Sequence, residues 1–438
     1  MMIEKKNNYW IAWLMMAAVT GTLCMMFFAP PRGVPMMMHY TCPIVFAFVG
    51  MNMAGRKKSW AADVRLGAAF MGWYVLSRIL LKDLYLRDYY ELFGSLCCAY
   101  LFALPFAGAV NDHEKKAGLK IAAALLMLAG GVAAYTGIAA AVLDTPIVLP
   151  VLGTEIEMNP YALRLYVGSH PNFSACLFAA ALLVSIWMLV ETKRRWVAIP
   201  CVLIAAGTYL GIALTDSRTT MLQFSCFAAG ILFVAMLRLP IKSVRKKALI
   251  GAAAGAACLL VAYAGFGLAK TLITDFANSI TALAETAEKK VVAERSLLAD
   301  MRTMTGRTSI FASIINLIRS QPDILLTGML NSAMDNMVLE ATGAYHAHNA
   351  YLQTLLNMGL VGLGIAVVLT VRTIWLSVKV IFSRKAAFGD QVLAVMLLSF
   401  LVTTIPEPYL FSNYLYITNF LYLLIYGYVL ETACALRE

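Results

Sequence analysis

The sequence predicts an all-α, polytopic integral membrane protein of about twelve transmembrane helices, with one long helical extracytoplasmic loop between the ninth and the tenth. Three observations carry this expectation. The 438 residues are 61% hydrophobic and 13% charged, whereas a soluble domain is close to half apolar and about a quarter charged. Apolar runs near the roughly 20 residues needed to cross a bilayer recur along the whole chain. The basic residues behind the net charge of +11 sit in short clusters between those runs, a pattern that belongs to membrane orientation and not to a nucleic-acid-binding face.

The qualifying runs are 9–30, 35–54, 64–82, 89–110, 118–143, 172–190, 196–214, 219–237, 248–269, 350–376, 390–407 and 411–431. The third carries Arg78 and is the weakest of them. No small-residue cleavage site follows Met1-Met2-Ile3-Glu4-Lys5-Lys6, so the first run is expected to be a retained helix. Threading these spans with a cytoplasmic N-terminus puts Lys5-Lys6, Arg56-Lys57-Lys58, Lys115-Lys116, Lys193-Arg194-Arg195, Lys242 to Lys247 and Arg384-Lys385 on the cytoplasmic side. Span count and charge bias therefore agree, and both termini are expected in the cytoplasm.

The expected organisation is spans one to nine over 1–269, an extracytoplasmic loop over 270–349 and spans ten to twelve over 350–438. Within the loop, 275–300 is rich in Ala, Glu and Lys, and 308–319 repeats apolar residues at helical spacing. Eight of the nine cysteines fall in apolar runs and the loop has none, which argues against a disulfide framework or a zinc centre.

The residues with chemical potential gather on the extracytoplasmic side. His346-Ala347-His348-Asn349 closes the loop where the tenth span begins, and Asn349 suits a helix N-cap. Gly359 follows His348 by about three helical turns, and Gly362 continues that face, so a neighbouring helix could approach closely beneath the histidine. His348 then has the place of a general base. An interfacial histidine beside ordinary small-residue packing fits the spacing equally.

Arg218, in Thr215-Asp216-Ser217-Arg218-Thr219-Thr220, opens the eighth span, and Arg307 opens the amphipathic loop helix. A cation at a helix N-terminus is disfavoured unless an anion is shared with the free backbone N–H groups, and arginine suits bidentate phosphate binding. Snorkelling, or pairing with Asp216 for Arg218, is the alternative for either one taken alone. Arg164 and His170 lie near Pro171-Asn172, which fits a helix start; a structural turn over Gly168 to Asn172 accounts for that cluster too.

No outward pair of carboxylates has the look of a divalent-cation site, and His346 and His348 lack an obvious third ligand, so no metal and no cofactor are expected. No GxxxxGK[ST] loop or other nucleotide fingerprint is present, which places the energy of any reaction in the substrate.

His348-Asn349-x9-Gly359-x2-Gly362 resembles the H-[NSQ]-x9-G-x2-[GTY] pattern of bacterial O-antigen ligases at every fixed position. Ser217-Arg218, Thr305-Gly306-Arg307 with Pro322 to Gly328 behind it, and His170-Pro171-Asn172 are similar to further elements of the O-antigen ligase and Wzy-type polymerase superfamily. The resemblance implies a metal-independent, inverting glycosyltransferase of GT-C type in the bacterial cytoplasmic membrane. Its donor would be an undecaprenyl-diphosphate-linked glycan. Its acceptor would be a glycolipid or glycan hydroxyl: lipid A–core in a ligase of lipopolysaccharide biosynthesis, a lipid-linked repeat in a polymerase. By the same resemblance, Arg218, Arg307 and Arg164 would contact the diphosphate and His348 would be catalytic. His346, Asn349, Gly359 and Gly362 would support it. Partners are then these substrates and membrane lipids, with no nucleic acid. A lipid-linked glycan transporter or flippase is the reading from another class, since an intramembrane charge such as Arg78 can mark a transport path.

Overall fold

In a computed structural model of the chain, residues 61–81, 112–143, 145–149, 154–159, 164–167, 171–241, 243–283, 307–329, 331–343, 346–411 and 416–436 are described, together with parts of 14–24. Most of the first, second and fourth apolar runs, and Gly168 and His170, fall outside them. The described residues form helices α1 (Ala61–Leu80), α2 (Asp112–Leu143), α3 (Pro171–Glu191), α4 (Arg195–Thr215), α5 (Arg218–Leu237), α6 (Val244–Leu283), α7 (Arg307–Ser320), α8 (Ile324–Thr327), α9 (Asn331–Thr342), α10 (Ala350–Ile381), α11 (Phe388–Thr403) and α12 (Tyr416–Ala435). The protein is a mostly helical, multi-pass membrane protein. Among the described residues, α2 to α6, α10 and α12 are long and apolar enough to span, while α11 is apolar but shorter.

One element departs from the all-α expectation. Strands β1 (Ile147–Leu149), β2 (Thr154–Asn159) and β3 (Arg164–Val167) form an antiparallel sheet in sequential order, with Ile156 opposite Val167 and Asn159 opposite Arg164. Leu165 and Val167 alternate inward along β3, the period-2 burial of a half-covered strand. In a segment this short, between two long spans, helical hydropathy gives no warning of it.

The chain divides into two units. The first holds α2 to α6, the sheet and residues 387–396. There α4 ends where Asp216 turns left-handed (φ 56°), and α5 restarts at Arg218. Helix α6 continues without a break past 269 to Leu283.

The second unit holds α1, α7 to α10, the remainder of α11, and α12. Its small core of Ile314, Ile324, Met329, Val338, Ala347 and Leu356 fastens the 307–347 segment onto the start of α10. At Gly359 (φ 65°, ψ −164°) α10 is kinked. The continuous face expected to run from His348 through Gly359 to Gly362 therefore does not form. A Cβ on Gly359 would lie 2.5 Å from the Leu326 carbonyl oxygen, and one on Gly328 (φ 83°) would lie 2.5 Å from the Asn357 carbonyl. Two backbones interlock here, which only residues without a Cβ and tolerant of positive φ allow.

The kink leaves helical carbonyls without their usual partners, and side chains and loop backbone replace them. Met329 N–H donates to Leu356 O at 2.7 Å, and Trp73 Nε1–H donates to Met358 O at 2.7 Å. Arg78 is fully buried, stacks 5.3 Å from the Tyr74 ring and donates to Met329 O. The charge on which the transport reading rests ties α1 to the segment packed into the kink of α10. Replacing Gly359 by alanine is expected to destabilise the protein by about 2–4 kcal/mol through φ strain and backbone collision. Thermal unfolding in detergent measures this, and an unchanged midpoint would mean that α10 is not kinked at this position.

Candidate functional site

The end of the 307–347 segment and the start of α10 are built around one histidine. His348 has a left-handed backbone (φ 47°), uncommon for a non-glycine residue and frequent at functional positions. What holds it there is local. Asn349 caps α10, its Oδ1 accepting from Tyr351 N–H at 3.0 Å and Leu352 N–H at 2.9 Å, as the sequence expectation had it. Asn349 Nδ2 donates to Ile405 O at 3.0 Å, and Ala350 N–H donates to Thr404 O at 2.8 Å. On the other flank Ala347 N–H donates to Gln353 Oε1 at 2.9 Å, and fully buried Gln353 passes the network to Asn357 at 3.1 Å. His346 accepts from the His348 backbone N–H through Nδ1 at 3.3 Å, with the two rings 4.1 Å apart.

These contacts draw the 404–407 turn against His348 and deliver a residue that the sequence reading passed over. Glu407 is 1% exposed, and its two carboxylate oxygens are divided. Oε1 accepts from Arg307 Nη2 at 2.7 Å, while Oε2 faces His348 Nδ1 at 3.3 Å. Burial on its own would raise the Glu407 carboxyl; the adjacent His348 imidazole, then Arg307 and His346, outweigh it and hold the group below its ordinary value. The arrangement is an Arg–Glu–His relay in which one buried anion fixes the direction of both a cation and an imidazole. A signal existed in the sequence: Glu407 stands alone between Pro406 and Pro408, in a turn threaded to the same side as His348.

His346, His348 and Glu407 also offer three potential metal-ligand atoms within 4.8 Å of one another. The expectation of no metal rested on a missing third ligand, and Glu407 supplies one, so that reason fails. A different one stands in its place. The Arg307 guanidinium already occupies one oxygen of the only carboxylate in this trio, and a dication there would meet a fixed positive charge.

Arg218 and Arg164 belong to the first unit, Arg307, His346 and His348 to the second. Arg218 is the first residue of α5, behind Ser217, whose Oγ lies 3.0 Å from Thr220 Oγ1. Arg164 Nε donates to Thr215 O at 2.9 Å and Nη2 to Asn172 Oδ1 at 3.1 Å. Thr215 ends α4, so Arg164 satisfies a helix-terminal carbonyl with a favourable charge. That makes it a positioning residue for the α4–α5 turn, a role its spacing did not suggest. Asp216 in the same turn lies 3.5 Å from Lys270 Nζ of α6, both largely buried.

Residues 202–367 match the family model described as O-antigen ligase. The match supports a place for this segment in the O-antigen ligase and Wzy-type superfamily. This ligase-family segment contains Arg218, Lys270, Arg307, His346, His348, Asn349, Gly359 and Gly362, whereas Arg164 and Glu407 lie outside it. No curated protein matches the chain. The family supports a glycan-transferring enzyme of the ligase or polymerase kind in a membrane setting.

Proposed function

We propose that the protein is an O-antigen ligase-like glycosyltransferase that moves a glycan from undecaprenyl diphosphate to an acceptor sugar hydroxyl. The proposed setting is the outer face of the bacterial cytoplasmic membrane, with twelve spans and both termini inside. The observation that carries the reading is Glu407 shared between Arg307 and His348.

With Nδ1 turned to the carboxylate, His348 has Nε2 for the acceptor hydroxyl. It removes the proton as the hydroxyl oxygen attacks the anomeric carbon. The bond to the diphosphate oxygen breaks with inversion, and undecaprenyl diphosphate leaves with that bond's electron pair. Glu407 keeps the imidazole aligned and stabilises the imidazolium formed, the part an orienting carboxylate plays in hydrolytic triads. Arg307, held in place by Glu407, presents a cation whose charge suits that growing on the leaving diphosphate. Arg218, opening α5, is proposed as a further diphosphate contact. Lipid A–core is the proposed acceptor; a second lipid-linked repeat is the acceptor of the polymerase alternative.

The test uses the purified chain in detergent with undecaprenyl-diphosphate glycan, candidate acceptors, EDTA and no nucleotide, and follows product by mass. Transfer to lipid A–core that EDTA does not diminish is the expected result. Transfer only to a second lipid-linked repeat would replace ligase by polymerase. Activity lost in EDTA and restored by a divalent ion would overturn the metal-independent chemistry and turn attention to His346, His348 and Glu407 as ligands.

A further inference from the structure

Helix α10 consists of two legs that lie side by side. An unbroken helix would hold Tyr351 and Thr370, 19 residues apart, at roughly 28 Å from each other. Their hydroxyl oxygens are instead 2.9 Å apart. The two side chains and the bond between them reach about 12 Å at most, so residues 350–358 fold back along 360–381. The chain turns at Gly359, whose φ of 65° and ψ of −164° no helix contains.

The second leg sets the depth of the first. Leu360, Val367, Val371, Ile374, Val378 and Phe382 are exposed and apolar. From Leu360 to Phe382 this stripe covers roughly 33 Å at 1.5 Å per residue, enough for the whole hydrocarbon core of about 30 Å. Arg384 and Lys385 follow at one end, which leaves Gly359 at the opposite edge of the bilayer. From that edge the first leg returns roughly 10–14 Å into the core, and His348 lies at its inner end. Helix α7 runs beside it, with Ile314 packed among Leu352 and Leu356. Arg307, at the start of α7, meets Glu407 at the inner end, while the carbonyls of Leu325 and Leu326 crowd Gly359 at the edge.

Hydrocarbon does not accept what stands at that depth. Residues 346–349 and 404–411 are non-helical, and His348 (φ 47°) and Phe411 (φ 61°) are left-handed. Irregular backbone and charged side chains occur at membrane depth only where protein buries them or where they line water. Burial accounts for Glu407, which is 1% exposed. It does not account for the side chains of His348 and Arg307, which keep 23% and 17% of their surface open.

We propose that residues 350–358 form a re-entrant half-helix and that His348 stands on the floor of a water-filled recess inside the outer leaflet. The polar end of the acceptor enters this recess to meet the imidazole. Naming that occupant rests on the transferase reading above, whereas the recess rests on the fold of α10.

The test uses the full-length protein in nanodiscs, with its nine native cysteines replaced. Spin labels on His346→Cys and Val371→Cys are expected less than about 20 Å apart, because the two positions share a level; an unbroken helix would separate them by roughly 30 Å or more. A charged thiosulfonate should modify His346→Cys and spare lipid-facing Val371→Cys, since a thiolate forms in water and not in hydrocarbon. Lipid A–core should slow the modification at 346. The pair Tyr351→Phe and Thr370→Val supplies a check without labels. Their losses in thermal stability should be non-additive, the double variant falling short of the sum of the singles. A separation beyond 30 Å or strict additivity would overturn the re-entrant leg, and an inert thiol at 346 would overturn the water-filled recess. Modification that lipid A–core leaves unchanged would remove the acceptor from it. If the distance, the modification and the coupling all hold in a protein that transfers no glycan, the recess stands and the transferase reading alone falls.

Discussion

Replacing His348 by alanine is expected to lower glycan transfer by about 10²- to 10⁴-fold while the donor still binds, because a general base contributes on that order to the chemical step. Donor binding should survive because the variant keeps Arg218, Arg307 and the Asn349 cap. Loss should therefore fall on kcat and leave KM for the lipid-linked donor nearly constant. Arg307→Ala should behave differently. It removes the proposed diphosphate contact and also strands the Glu407 carboxylate at 1% exposure, so KM should rise, kcat should fall and the protein should lose about 3–5 kcal/mol of stability. Single-turnover kinetics with a defined donor, beside thermal unfolding of both variants, separates these patterns. If His348→Ala transferred glycan at the wild-type rate, the general-base role would have to be abandoned.

The second large effect belongs to Glu407. Glu407→Gln keeps the volume of the side chain and removes its charge, so Arg307 and His348 lose the anion that orients both. Transfer is expected to fall by up to about 10⁴-fold, the loss seen when the carboxylate behind a catalytic histidine is made an amide. Glu407→Asp keeps the charge but draws the carboxylate back, and should recover part of the rate.

The same residue predicts a pH response. The folded protein holds the Glu407 carboxyl below its ordinary value, so the unfolded chain takes up its proton first as pH falls. Its stabilising contribution is complete above the unfolded value near 4.3 and disappears as pH drops through the lower folded one. Wild type should therefore lose stability over that acidic interval by more than Glu407→Gln does. Parallel acid titrations of the two that coincide would show that the carboxylate is not held by Arg307 and His348.

Much of the candidate site was legible along the chain because it is local. Asn349 caps the helix it precedes, and the chemistry of an N-cap needs only the next three residues. Arg218 and Arg307 begin helices because the apolar periodicity starts just after each of them. The glycine of the His348-Asn349-x9-Gly359 pattern was visible as a place of close approach, yet its reason was misread. Helical periodicity assumes an unbroken helix, and the kink at Gly359 is made by Leu325 and Leu326, about thirty residues earlier in the sequence. The sheet over 147–167 was missed for a related reason, since its strands gain their pairing from one another and not from a pattern that spans of this length impose.

By itself the sequence determined the class of this protein. Hydrocarbon accepts only backbone that is bonded to itself, so long apolar runs must become helices whatever surrounds them. Charge clusters between those runs and short motifs at helix starts carry their meaning within a few residues. Tertiary structure alone decided the partners of the charges: Glu407 with Arg307 and His348, Asp216 with Lys270, Asp63 with Arg372 and Tyr426, and Arg78 with a backbone carbonyl. A charge in low dielectric is tolerable only beside a specific counter-group. That group can lie anywhere in the chain, 100 residues away for Arg307 and Glu407 and 309 for Asp63 and Arg372, and no local pattern records a choice made by packing.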